Sequence, residues 1–291
     1  MSRSSLYAGL SERNHIVING IELNLDALID WERLIRSATK ELSEKFKSNR
    51  PFPYVVIEDL FSPDLLELMY SEFDGIRWND WIRYDNQNER KLGSHPDTEF
   101  GPATQLYFNT IYSKAFIQVI QQLSGLQGLV PDPELVAGGL HEIPEGGKLA
   151  VHLDFNKHPV TGLDNRLAFI TYLNKDWKAS YGGALELWDA GNDECQARIE
   201  PLFGRSVLFF QSSKSLHGHP DPVKTPDGRP RRSATAYFYS NGRTDGDSKP
   251  AHLTIIPSAA KLADHHRFMS GIKYFTPPAL VDAVRRVKKL F

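Results

Sequence analysis

The sequence predicts a mainly β fold with packed helices (α+β), centred on a β-sandwich or a barrel-like pair of sheets. Short runs rich in β-branched and aromatic residues recur through the second half: Arg166–Asn174, Ala184–Trp188, Ser206–Phe210 and Arg231–Tyr239. Turn signals such as Gly182-Gly183 separate them. The runs do not alternate with helical segments, as a doubly wound parallel sheet would require.

In chain order, residues 1–50 read as an N-terminal extension. Ile16–Leu23 contains Asn19-Gly20, the signature of a tight hairpin, and Asp26 could cap a helix running to about Phe46. A central domain is expected over 51–245. It opens with a strand at Pro51–Ile57, after which Ser62-Pro63 caps and starts a helix over Leu65–Phe73. From Trp78 to Lys91 the chain is polar and aromatic without clear periodicity, which predicts a loop that could close over a site; Trp78 and Trp81 could equally be packing residues. A helix over about Ser113–Gln122 should pack on one face of the sheets. Leu135–Pro144 reads as a further strand. Residues 246–291 form a C-terminal extension ending in an amphipathic helix, with Val281, Val284, Val287 and Leu290 opposed to Arg285, Arg286, Lys288 and Lys289.

Chemistry concentrates in the central domain. In an extended segment His152 and Asp154 point the same way while Leu153 turns to the other face, so one short stretch supplies two ligand side chains. His217 offers a third and Arg231 a cation. Two imidazoles and a carboxylate on one side of an octahedral metal leave the opposite positions open, the pattern of a non-haem iron(II) oxygenase; a zinc site would more often be closed and tetrahedral. Along Arg231–Tyr239, Arg231, Ser233, Thr235 and Tyr237 share one face, and Arg232, Ala234, Ala236 and Phe238 the other.

The run Tyr172-Leu-Asn-Lys-Asp-Trp177 followed by Gly182-Gly183 resembles the hypoxia-factor prolyl hydroxylases. The strings Leu216–Pro222 and Arg231–Arg243 resemble bacterial 2-oxoglutarate and iron(II)-dependent dioxygenases often found in biosynthetic clusters. The resemblance covers 134–243 strongly and 51–129 loosely. It implies a double-stranded β-helix, or jelly roll, as the core of a catalytic domain. His152, Asp154 and His217 would be the Fe(II) ligands. Arg231 and the Tyr172 hydroxyl would hold the far carboxylate of 2-oxoglutarate, with Thr235 four positions after Arg231 and Ile170 walling the pocket. O2 would be the oxidant and ascorbate a stimulant. The implied reaction oxidises an unactivated C–H bond and releases succinate and CO2. Halogenating relatives lack the carboxylate ligand, so Asp154 favours hydroxylation, with desaturation, epoxidation or ring formation using the same ligands.

Several positions stay open. Ile143 stands about where many relatives carry a tyrosine near the co-substrate, so a hydrogen-bond donor is missing or comes from elsewhere. His141, on the same face, could be that donor, touch substrate, or be a buried histidine satisfied by a backbone carbonyl. His219 competes with His217 for the metal, being two residues on. His158 and Asn156, in the segment after the HxD pair, are candidate substrate contacts, as are Trp78 and Lys91; Asn109 is a further polar candidate. His15, His95, His252, His265 and His266 have no partner at ligand spacing and read as surface histidines.

Composition removes several classes. A net charge of −2 over 291 residues offers no basic field for a nucleic-acid backbone, so no nucleic acid is expected as partner. The lone Cys195 excludes an intramolecular disulfide framework and fits a reducing compartment. No run approaches the roughly 18 apolar residues of a membrane span, and Met1–Leu6 lacks a signal-peptide core. The expected protein is cytoplasmic, free of membrane, a monomer or homodimer, acting on a small-molecule substrate. Two other readings are a peptidyl prolyl hydroxylase and a non-catalytic jelly-roll module that binds a metabolite.

Overall fold

The computed structural model describes residues 14–38, 40–191 and 194–257, with the backbone of 273–274. Its centre is one continuous antiparallel sheet that curls on itself. The strands are β1 (His15–Ile18), β2 (Ile21–Asn24), β3 (Tyr54–Ile57), β4 (Trp81–Asp85), β5 (Glu89–Ser94), β6 (Val130–Pro131), β7 (Gly139–Ile143), β8 (Lys148–His152), β9 (Asp164–Tyr172), β10 (Leu185–Asp189), β11 (Glu194–Ile199), β12 (Ser206–Phe210), β13 (Leu216–His219), β14 (Arg231–Ser240), β15 (Ile255–Ile256) and β16 (Lys273–Tyr274). The path runs β11-β10-β13-β8-β5-β7-β14-β9-β12-β3, with β4 on β5 and β6 on β14. Strand β5 bridges β7 and β8, joining a wall built on β14 and β9 to one built on β8, β13 and β10. This is the jelly-roll core that the family resemblance implies, within the barrel-like sheet pair expected from the residues.

Two long strands show why the residues fold this way. On β9, Leu167 and Phe169 pack outward with the helices, while Ala168, Ile170 and Tyr172 face inward. On β14, Ala234, Ala236 and Phe238 join the outer core and Arg231, Ser233, Thr235 and Tyr237 line an interior cavity, the two faces read from the sequence. Both strands are covered on both sides, so their burial is near complete and their register is fixed by which face meets the helices.

The helices are α1 (Trp31–Ala38), α2 (Glu41–Ser48), α3 (Pro63–Glu72), α4 (Pro102–Ile111) and α5 (Lys114–Ser124), and their apolar faces join the outer core. Phe116 and Phe61 meet Phe169 at ring-centroid distances of 5.3 and 6.3 Å. The N-terminal hairpin forms on Asn19 and Gly20, both left-handed at φ 50° and 81°. Asp26 caps no helix: it sits in a 3-10 turn, and Asp30 accepts from the Arg33 amide at the start of α1, with α2 beginning only at Glu41. Ser62 precedes α3 as expected, but its hydroxyl makes no capping bond; Pro63 at the first turn defines the start. Ser113 does cap α5 through the Phe116 amide.

Two stretches differ from the sequence reading. Trp78–Lys91 is mostly the β4–β5 hairpin, not a loop. Its alternation is real, but Glu89 and Lys91 occupy inward positions beside Ile82 and Tyr84, so polarity masks the period. The strand expected from Leu135 starts only at Gly139. The Asp132 carboxylate accepts from the Glu134 and Val136 amides, and Leu135 and Ala137 turn left-handed at φ 51° and 58°. The tail helix from Pro277, with His265 and His266, lies outside the described residues. No described helix is long and apolar enough to cross a membrane.

Candidate metal and co-substrate centre

His152 ends β8, and Asp154 follows after Leu153, whose amide and carbonyl pair with Ile255 and whose side chain packs with Leu216 and Ala190. That outward stitch fixes the two polar neighbours inward. His217 lies directly opposite His152 on β13. One ligand atom from each of His152, Asp154 and His217 falls within 4.8 Å of the others, and all three residues are buried. The imidazole Nε2 atoms stand 3.3 Å (His152) and 3.5 Å (His217) from the two Asp154 oxygens.

Tautomers are set from behind. Nδ1 of His152 lies 2.9 Å from the Ala150 carbonyl, and Nδ1 of His217 lies 2.9 Å from the Ser215 carbonyl. A carbonyl only accepts, so each Nδ1 carries the proton and each Nε2 presents a lone pair, the arrangement that orients metal-binding histidines. Burial, reinforced by the neighbouring His152, pushes His217 down to about 4 against the opposing pull of Asp154. Burial alone would raise the Asp154 carboxyl, but His217 and then His152 outweigh it and hold it well below the usual carboxylate range. Imidazoles whose Nε2 atoms face inward beside a carboxylate are the donors a divalent metal needs. The donor set therefore fits such an ion.

Arg231 fits an anion. It is 4% exposed, its Nε donates to the Gly183 carbonyl at 2.7 Å, and no carboxylate pairs with it among the described residues. A buried guanidinium without a counter-charge is unfavourable until an anion reaches it. Its neighbour Arg232 points the other way and is neutralised by Glu142 and Asp74 at 2.9 and 2.7 Å. The Arg231 guanidinium lies 4.9 Å from the Tyr172 ring centroid, and the buried Tyr172 hydroxyl has no hydrogen-bond partner among the described residues. Thr235 and Ile170 line the same cavity; Tyr172 lies behind it, beside Arg231.

The cavity holds about 520 Å³, within the range of small-molecule sites. His141 lines it, with Nδ1 3.5 Å from the Thr235 hydroxyl and no backbone carbonyl in bonding contact among the described residues. Burial, with the charges of Lys91 and Arg231, pushes His141 down to about 3. Lys91 lines the cavity too, 3.3 Å from the buried Glu89 carboxylate and over the Tyr84 ring. Ile143 is a cavity wall opposite Arg231 in the β7–β14 register.

Other expected contacts are not brought here. His158 is buried outside the cavity: its Nδ1 accepts from the Val160 and Thr161 amides and its Nε2 stands 3.4 Å from Asp132. Asn156 ties the chain to Lys249, Pro250 and His252. Trp78 is 60% exposed beneath the Arg83 guanidinium, so it is neither packed nor at the site. Asn109 is an exposed helical residue bonded to Gln105. His95 does line the cavity, contrary to its reading as an ordinary surface histidine. Sequence reasoning missed Gln211, whose Nε2 donates to Asp154 Oδ2 at 2.8 Å. It also missed Phe209, whose ring meets His217 edge-on at 4.8 Å. Neither has a spacing signal, since both reach the triad from β12 and its end, across the sheet.

Residues 138–239 match the family model of the 2OG-Fe(II) oxygenase superfamily. Among solved structures, the chain is similar to a prolyl hydroxylase of Trichoplax adhaerens solved with a hypoxia inducible factor oxygen degradation domain peptide fragment. The identity is 14% and the TM-score 0.51, over 72% of this chain and 91% of that one. A Pseudomonas putida prolyl-4-hydroxylase is 18% identical with a TM-score of 0.51, over 69% and 99% of the two chains. A Phytophthora capsici prolyl 4-hydroxylase is 20% identical with a TM-score of 0.51, over 82% and 74%. At these identities the structural likeness speaks for the fold. No curated protein matches in sequence. The match to the 2OG-Fe(II) oxygenase superfamily covers the strands that carry the His152, Asp154 and His217 cluster and Arg231, and the fold of the chain is that of the solved structures it resembles.

Proposed function

We propose that the protein is a 2-oxoglutarate-dependent dioxygenase that hydroxylates an unactivated C–H bond of a small-molecule metabolite, with release of succinate and CO2. The observation that carries the reading is the one-sided triad inside a 520 Å³ cavity that also holds a buried arginine without a carboxylate of its own. Bound Fe(II) with 2-oxoglutarate and O2 supplies the oxidising power. The protein supplies position and dryness. His152, Asp154 and His217 hold the ion from one side. Arg231 and Tyr172 take the far carboxylate of 2-oxoglutarate, Thr235 and Ile170 flank it, and apolar walls such as Ile143 and Leu185 exclude water. Lys91 and His141 stand on the same cavity surface and are the substrate contacts the geometry favours. Ascorbate is expected to stimulate turnover, and a cytoplasmic biosynthetic role fits the lone half-buried cysteine.

The test is a metabolite screen on anaerobically reconstituted protein, scored by succinate release after O2 is admitted. His152→Ala and His217→Ala should abolish release and weaken iron retention. Arg231→Ala should weaken 2-oxoglutarate binding and leave the iron in place. Iron-loaded protein that consumes neither O2 nor 2-oxoglutarate with any metabolite would overturn the reading. A second reading, a peptidyl prolyl hydroxylase, is favoured by the Tyr172–Trp177 run and by similar structures bearing that name. Succinate release stimulated by a proline-containing peptide and by no metabolite would establish it instead.

A further inference from the structure

We propose that His219 is a third holding group for the far carboxylate of 2-oxoglutarate, supplying the donor that Ile143 does not. The inference rests on the 2-oxoglutarate reading above. It starts from a contrast among three histidines of the cavity. His152 and His217 each direct Nδ1 to a carbonyl two residues earlier, as a metal ligand should. His219 is 4% exposed and lines the same cavity, yet its Nδ1 is sealed from solvent without a partner among the described residues. It also falls outside the cluster of ligand atoms, so it is not the metal's third nitrogen.

Its position explains what it is for. On β13 the register slips between His217 and His219: His217 faces His152, but His219 faces Leu149, so β8 carries one extra residue here. His219 thus stands opposite Leu149, three residues before His152. Arg231 lines the same cavity and is tied to Gly183, just before β10, the strand that pairs with β13. Around Arg231 two buried polar groups therefore lack partners, the Tyr172 hydroxyl and the His219 imidazole, while Ile143 faces Arg231 from β7 with an apolar side chain. A carboxylate accepts at two oxygens from several donors at once. An anion on the Arg231 guanidinium would satisfy all three groups, and no side chain among the described residues does so.

The experiment is anaerobic calorimetry on the Fe(II)-loaded protein with two ligands: 2-oxoglutarate, and 2-oxobutyrate, which keeps the chelating end and lacks the far carboxylate. His219→Val should weaken 2-oxoglutarate binding roughly tenfold, the loss of one hydrogen bond to a charged group. Binding of 2-oxobutyrate, iron content and melting temperature should stay at wild-type values, and His219→Gln should recover most of the affinity. A His219→Val protein that binds 2-oxoglutarate like wild type overturns the proposal. Equal losses for both keto acids overturn it as well, because His219 would then act on the metal side or on the fold. Wild-type protein that binds no 2-oxoglutarate would overturn the parent reading, and this one with it; the two failures are thus distinct.

Discussion

Gln211 does for Asp154 what backbone carbonyls do for the two histidines. Its amide donates to Oδ2 at 2.8 Å, while its own backbone is held by the Arg166 carbonyl and the Arg243 guanidinium. Gln211→Leu removes the donor at similar volume and should weaken metal affinity by about ten- to a hundredfold, read by metal retention against a chelator. A second expectation concerns acid. His141 is held at about 3 in the folded chain against an ordinary value of 6.5. Below 6.5 the unfolded chain takes up a proton that the folded chain refuses, so stability is complete above that pH and is lost as pH falls toward 3. The urea midpoint of metal-free protein should fall through this window, and His141→Gln should flatten part of the fall. A midpoint that falls equally steeply in the variant would show that His141 contributes nothing.

At the scale of elements, the site depends on how closely β13 approaches β8. Gly218 stands between His217 and His219, and a Cβ there would sit 2.8 Å from the Ala150 carbonyl oxygen and 2.9 Å from that of Leu149. Only backbone lies in the way, so a methyl group must push the strands apart. Gly218→Ala should destabilise the fold by about 1–3 kcal/mol in urea unfolding and lower iron retention, because Ala150 also orients His152. Wild-type metal retention in that variant would mean the strand spacing does not set the site. The β4–β5 hairpin makes a complementary point. Its inward residues face a ligand space, so Glu89 and Lys91 stand where a packed strand would carry hydrophobic residues.

The whole molecule is held by the layer between helices and sheet. Phe169 is fully buried there among Phe61 and Phe116, on the face of β9 opposite Ile170 and the cavity. Phe169→Ala should cost about 3–5 kcal/mol in urea unfolding. Arg232 links β14 to Glu142 and to Asp74 just past α3. Arg232→Ala should therefore lower the melting temperature and leave 2-oxoglutarate affinity near wild type, the reverse of Arg231→Ala. If Arg232→Ala were the one to lose the co-substrate, the two faces of β14 would be assigned the wrong way round.

By itself the sequence determined the elements whose periodicity is strict: the alternating faces of β9 and β14, the Asn19-Gly20 hairpin, and the same-side pairing of His152 with Asp154. Local backbone geometry dictates each of these, so a stretch of a few residues carries the signal. Tertiary structure decided what depends on distant chains. It left His219 outside the cluster of His152, Asp154 and His217, brought Gln211 to Asp154 from the end of β12, and took His158 and Asn156 out of the cavity into loop contacts. Spacing along a strand fixes which way a side chain points, whereas what it meets is set by the register and curl of its neighbours.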